Sequence, residues 1–313
     1  MLTDSREHFQ PFQYPMAAKF LESQEKVFWN SHEIQVGRDV QQYHSEFTES
    51  EKHLIVTLLK VFTEYELHVG CFWSDVVAKE FGGHWEVAAM AKIFSATENV
   101  HALFYNKLNE GLYLNDAEFY NSFKLSPSLS KNINIITKHL ENPSLLSKLA
   151  AFSFVEGVKL YGSFAVLLNF PRQGKLRGVE NGLKYSVSDE ALHCRASSWL
   201  YKQLSEETST SLSNSELHEM ARSFVDVEII LVEELFSKGT IEGITQEDVV
   251  EFVKHRADRV LTYLGSVPLY GTGETKISEW FYTFINAQED TDFFVSKATE
   301  YEQGWNFSGV VKW

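Results

Sequence analysis

Two short stretches carry the same pair of chemical groups: "TENVH", with Glu98 and His101, and "SDEALH", with Glu190 and His193. On a helix, Glu-x-x-His sets a carboxylate and an imidazole one turn apart on one side, where both can reach one metal ion. With this much Glu and 11 His, about one such quartet is expected by chance, so either copy alone means little. A repeated spacing raises the pair above chance: Glu66 precedes the first copy by 31 intervening residues and Glu156 precedes the second by 33. Each half of the chain thus offers one lone Glu and one Glu-x-x-His.

All six residues fall where a core residue belongs. From 49 to 79 the stripe reads Ile55, Leu59, Phe62, Glu66, Val69, Trp73, Val76, in steps of four and three that keep one helix face. The next helix runs from the Gly82-Gly83 break to Gly111, with Val87, Ala91, Phe94, Glu98, His101, Tyr105 and Leu108 in register. A third, from Pro143 to just before Pro171, is apolar almost all round with Glu156 at its middle. A fourth covers 184 to 204 and aligns Ser186, Glu190, His193, Ser197, Leu200 and Leu204. Further helices are expected over 214–238 and 246–264, and a looser segment between Gly111 and Pro143.

A Glu on a helix is usually solvated, and one His on an apolar face is more often a hydrogen-bonded core residue than a ligand. Four carboxylates in one core are different, because uncompensated burial costs several kcal/mol per ion. They must be protonated, paired or metallated. Two divalent cations balance four carboxylates and leave the imidazoles neutral. Oxygen-rich ligands with one imidazole per metal suit iron or manganese better than zinc or copper.

The rest of the composition agrees with a helical protein that has this site in its core. Only 6 Pro and 17 Gly punctuate 313 residues, and no strand-like alternation of useful length occurs. The formal net charge of -15 opposes binding to nucleic-acid backbones or anionic membranes. No signal-like N-terminus and no long apolar run suggest export or a membrane span. Two cysteines, Cys71 and Cys194, form neither a disulfide framework nor a zinc cluster. A cytoplasmic, all-α, one-domain bundle with a dinuclear metal site is the expectation.

The stretches "VFWNSHEIQVGRDV", "FTEYELHVG", "SATENVHALFY", "FVEGVKLYGSF" and "SDEALH" resemble the small, radical-generating subunit of class I ribonucleotide reductase over nearly the full length. The resemblance implies a ferritin-like, homodimeric protein over 1–300. Its di-metal centre would be held by Glu66, Glu98 and His101 on one side and by Glu156, Glu190 and His193 on the other. Iron or manganese there would activate oxygen or a reduced oxygen species. Tyr105 stands at the radical tyrosine's place, and Asp189 at that of the carboxylate linking a ligating histidine outward to Trp29. A C-terminal tail, 301–313, would dock on the large catalytic subunit, with Tyr301 as a candidate relay.

Two positions depart from the family pattern. The first ligand is usually Asp and here is Glu66, which changes reach; Ser186 stands in a pocket that is usually apolar, while Leu160 and Phe164 keep it so. The oxidant is therefore open between Tyr105 and the metals themselves. The alternative enzyme is a self-contained oxidase or hydroxylase on the same bundle, which would need neither Trp29, Asp189 nor a docking tail. Iron storage fits less well, since storage shells lack helices corresponding to those after 214.

Overall fold

A computed structural model describes residues 1–284. In chain order its helices are α1 (Pro15–Lys26), α2 (Gly37–Glu46), α3 (Glu49–Cys71), α4 (Ala78–Glu80), α5 (Trp85–Gly111), α6 (Ala117–Asn121) and α7 (Pro127–Leu140), followed by α8 (Leu145–Phe154), α9 (Tyr161–Arg172), α10 (Glu180–Thr208), α11 (Asn214–Phe236), α12 (Gln246–Tyr263) and α13 (Lys276–Phe284). Among the described residues the only β pairing is an isolated bridge between Ile241 and Ile244. The expected tail, with Tyr301, lies outside the described residues.

Local signals start the long helices where hydrophobic periodicity does. Thr48 and Glu51 form a reciprocal capping box at α3, Ser213 and Glu216 at α11, and Thr245 and Asp248 at α12; each cap is worth about 1 kcal/mol. The helices α3, α5 and α10 and the α8–α9 run then wrap one core, with α3 against α5 and α10 against α8, while α1 covers α5 and α11 packs on α12. Every residue of the α5 stripe from Val87 to Leu108 is buried.

Three expectations are corrected. The α3 stripe fails at its end, because Phe72–Val77 is a π-turn; its extra residue per turn rotates Val77 into the core and leaves Val76 half-buried. The apolar third helix is two, α8 and α9, joined by a second π-turn at Val155–Lys159, and α9 continues through Pro171 to Arg172. The segment after Gly111 is not loose throughout. Ser126 caps α7, Pro127 sits in its first turn, and Leu129, Ile133 and Ile136 are buried.

Leu145–Arg172 is long and apolar enough, by length and composition, to cross a membrane, although Lys148, Glu156 and Lys159 interrupt it and it holds no uninterrupted apolar run of that length. An 18-residue window there averages a hydropathy of 1.4. That window is wholly buried inside the bundle, which is the position of a central core helix.

Candidate metal centre

Four elements deliver one carboxylate each to the middle of the bundle. Glu66 comes from α3, Glu98 from α5, Glu156 from the π-turn Val155–Lys159, and Glu190 from α10. His101 and His193 follow Glu98 and Glu190 by one helical turn. All six are at most 1% exposed. Their ligand atoms form two groups, Glu66, Glu98, His101 and Glu190, and Glu98, Glu156, Glu190 and His193; within each, one atom per residue lies within 4.8 Å of the others.

Glu98 and Glu190 belong to both groups, which the sequence spacing does not reveal. Spacing assigns each to its own half of the chain. The fold lets their carboxylates, each with two oxygens, reach both halves.

The histidines are aimed by their outer nitrogens. His101 Nε2 lies 3.0 Å from Asp189 Oδ2, and His193 Nε2 lies 3.2 Å from Gln24 Oε1. With the ring proton on Nε2 in each, the Nδ1 lone pair points inward. His101 Nδ1 is 3.0 Å from Glu98 Oε2, 3.3 Å from Glu190 Oε1 and 3.8 Å from Glu66 Oε2. His193 Nδ1 is 2.7 Å from Glu98 Oε1 and 3.8 Å from Glu156 Oε2.

The 2.7 Å approach is close but misaligned, so neither His193 Nδ1 nor Glu98 Oε1 has a hydrogen-bond partner. Both oxygens of Glu66, both of Glu190, and Oε2 of Glu156 are likewise buried without partners. Buried polar atoms without partners are costly and rare. So many, converging from four elements, fit cations that they could share. A donor set of four carboxylates and two imidazoles matches two metal ions of the iron or manganese kind.

Charge crowding is visible in the titration of the same groups. Burial pushes Glu66 and Glu190 each up to about 8, with other carboxylates adding to the shift. It raises Glu156 well above the usual range, with Glu190 adding to the effect. Burial also works against ionised Glu98, but His101 and His193 overcome it and hold that carboxyl below the usual range. The cluster keeps protons that divalent cations would displace.

Tyr105 lies one turn beyond His101 on α5, 1% exposed, stacked on Phe62 at 4.6 Å and tilted against Phe104 at 5.0 Å. Leu160 and Phe164 are also buried. Its hydroxyl has no hydrogen-bond partner, nor has that of Ser186, which approaches it without completing a bond. Burial first, then the charge of Glu66, raises the phenol well above its ordinary pKa.

The outward link exists as hydrogen bonds. Trp29 Nε1 donates to Asp189 Oδ2 at 2.9 Å and Gln24 Nε2 donates to Asp189 Oδ1 at 2.8 Å. Gln24 thereby ties Asp189 to His193, so the supports of both histidines form one network. Nothing in α1 marks Gln24 as a site residue in the sequence. Trp73, which reads as core stripe, uses its indole N–H on Glu156 Oε1 at 2.7 Å.

Comparison with known proteins agrees with this geometry. The model of the family "Ribonucleotide reductase, small chain" matches residues 6–276. The sequence is 28% identical to the protein named "Probable ribonucleoside-diphosphate reductase small subunit 048L" of Invertebrate iridescent virus 3, covering 100% of this chain, with 88% of that protein. It is 24% identical to the ribonucleoside-diphosphate reductase small subunit of Dictyostelium discoideum, covering 93% and 85% respectively. The fold is shared with the ribonucleotide reductase R2 subunit from Clostridium botulinum, at a TM-score of 0.79 and 21% identity over 90% of this chain, with 91% of that one. It is also shared with dimanganese(II)-NrdF of Streptococcus sanguinis, at a TM-score of 0.71 and 21% identity over 86% and 95%.

Proposed function

This chain belongs to the ribonucleotide reductase small-chain family, and on that premise we propose that it generates a one-electron oxidant in its core and passes it to a separate large subunit, which reduces ribonucleoside diphosphates. The observation that carries this reading is the convergence of ligand atoms from Glu66, Glu98, His101, Glu156, Glu190 and His193 into two overlapping groups, with atoms of all but His101 buried without a hydrogen-bond partner. Two metal ions held there, iron or manganese, would supply the oxidising power, drawn from oxygen or a reduced oxygen species.

The chain's own residues then have separable tasks. Glu98 and Glu190 would serve both metals, while Glu66 and Glu156 each serve one. Asp189 and Gln24 orient the imidazoles. Tyr105 is the candidate for storing the oxidant: its raised pKa keeps the phenol protonated at rest, so losing an electron entails losing the proton from Oη as well. Phe62 and Phe104 exclude water from that side of the ring. Glu66 and Ser186 depart from the family pattern and leave a second seat open, with the oxidant kept on the metals and Tyr105 silent.

Trp29 and Asp189 form the way out of the core, and the tail 301–313, with Tyr301, is the proposed docking segment for the large subunit. The active form would be a homodimer in the cytoplasm. A self-contained oxidase or hydroxylase is not favoured, because family membership and the Trp29–Asp189 link both point to a partner.

Deletion of 301–313 tests the reading. Metal uptake should persist and ribonucleoside-diphosphate reduction with the large subunit should be lost. Oxidase or hydroxylase activity that survives unchanged without a large subunit would sink it.

A further inference from the structure

The turn that carries Glu156 is held from outside. Val155–Lys159 is a π-turn, and a widened turn leaves carbonyls out of line with the regular ladder. Two of them are taken by side chains from other helices. Tyr65 Oη donates to the Val155 carbonyl at 2.6 Å, and Arg256 Nε donates to the Gly157 carbonyl at 3.0 Å. Tyr65 and Arg256 are fully buried. Arg256 also lies 3.6 Å from the centroid of the Tyr161 ring, so its plane is fixed by the residues that follow the turn. The turn has no slack on its other side either: a Cβ at Gly157 would stand 2.4 Å from Val260 and 2.6 Å from Cys194.

The carboxylate at the end of this support is held at one oxygen only. Trp73 Nε1 donates to Glu156 Oε1 at 2.7 Å, and an indole N–H can only donate. Trp73 is itself fully buried, edge-on to Phe94 at 4.9 Å and to Phe72 at 5.2 Å. Glu156 Oε2 has no partner and faces His193 Nδ1 at 3.8 Å. Glu66, the corresponding lone ligand of the other half, has neither oxygen hydrogen-bonded.

We propose that Trp73, Tyr65 and Arg256 are positioning residues that restrict Glu156 to one-oxygen binding, with Oε2 given to the metal and Oε1 kept by the indole. The inference rests on the reading of the cluster as a dinuclear metal centre. Its consequence is an asymmetric site. Glu156 is fixed, and any carboxylate rearrangement during loading falls to the carboxylates with neither oxygen hydrogen-bonded, Glu66 and Glu190.

A crystal structure of the full-length protein loaded with manganese(II) tests this directly. Glu156 should bind through Oε2 alone with Oε1 still within hydrogen-bonding distance of Trp73; Oε1 on a metal, or Oε1 turned away from the indole, overturns the proposal. Titration with manganese(II), read by loss of the free-ion paramagnetic resonance signal, supplies the second readout. Trp73→Phe and Tyr65→Phe should each weaken one of two bound ions by about tenfold or more, the usual effect of removing a ligand's support, while the other ion is less affected. A purely structural role would lower thermal stability and leave both affinities unchanged, and that result in folded variants overturns the proposal. Wild-type protein that binds fewer than two ions removes the dinuclear reading and this inference with it; two ions bound alike in wild type and both variants remove only this inference.

Discussion

Trp29 and His101 hang on the same oxygen atom: Asp189 Oδ2 accepts from the indole at 2.9 Å and meets the imidazole Nε2 at 3.0 Å. Both rings are buried, and their planes lie 27° apart with centroids separated by 5.9 Å. One oxygen thus links a residue of the proposed metal centre to an oxidisable ring outside it, and the two variants below separate its orienting role from its transfer role.

Trp29→Phe should leave manganese(II) or iron uptake close to wild type, because Asp189 still holds His101, but abolish reduction with the large subunit. Asp189→Ala should do both kinds of damage, lowering metal affinity about 10- to 100-fold. Metal titration and a turnover assay on the same preparations check the split. Equal metal loss in both variants would mean that Trp29 acts by supporting the metal site through Asp189, and would refute a role confined to transfer.

Tyr105→Phe should not destabilise the metal-free protein. The hydroxyl it removes is buried without a partner, so its loss should be neutral or stabilising by about 1 kcal/mol. Denaturant unfolding measures this. A loss of more than about 1 kcal/mol would show that the hydroxyl is bonded in solution.

Lys159 and Glu228 form a fully buried pair at 2.7 Å, with Asn132 bonded to both. Removing one charge strands the other, so Lys159→Met should cost about 3–5 kcal/mol. The double variant Lys159→Met with Glu228→Leu should regain most of that. Unfolding of the three proteins tests the coupling, and additive losses would refute it.

The imidazole of His139 stacks on Phe224 at 5.1 Å, and burial lowers its pKa from 6.5 to about 4. Between those values the unfolded protein binds a proton that the folded protein does not. Stability therefore rises with pH across the window and is lost as pH falls from 6.5 towards 4. Discounted for its partial exposure, the effect should be about 1–2 kcal/mol. His139→Leu should remove that part of the pH dependence, as urea midpoints at about pH 4.5 and 7 would show; identical slopes in both proteins would contradict it.

Much of the arrangement is legible in the sequence because α-helical spacing is rigid. Steps of three and four place Glu66, Glu98, His101, Tyr105, Glu190 and His193 on buried faces, and Thr48 marks where α3 starts. Two kinds of information are not local. A π-turn adds a residue without a distinctive composition, so the α3 stripe slips from Val76 to Val77 and the run through Glu156 reads as one helix. Tertiary partners leave no pattern either: Gln24, Trp73 and Tyr65 become part of the site only because other elements bring Asp189, Glu156 and Val155 to them. The Ser- and Asn-rich α7 escapes notice because its residues favour turns and caps as readily as helix, and its buried Leu129, Ile133 and Ile136 are what settle it.

The most direct test of the central claim is electron paramagnetic resonance of the full-length protein following aerobic loading with iron and, separately, with manganese. A one-electron-oxidised centre should form with at least one of the two metals. A tyrosyl signal lost in Tyr105→Phe would place the oxidant on Tyr105, and a metal-centred signal kept in that variant would place it on the metals. No oxidised signal with either metal, under oxygen or after added hydrogen peroxide, would show that this chain generates no such oxidant.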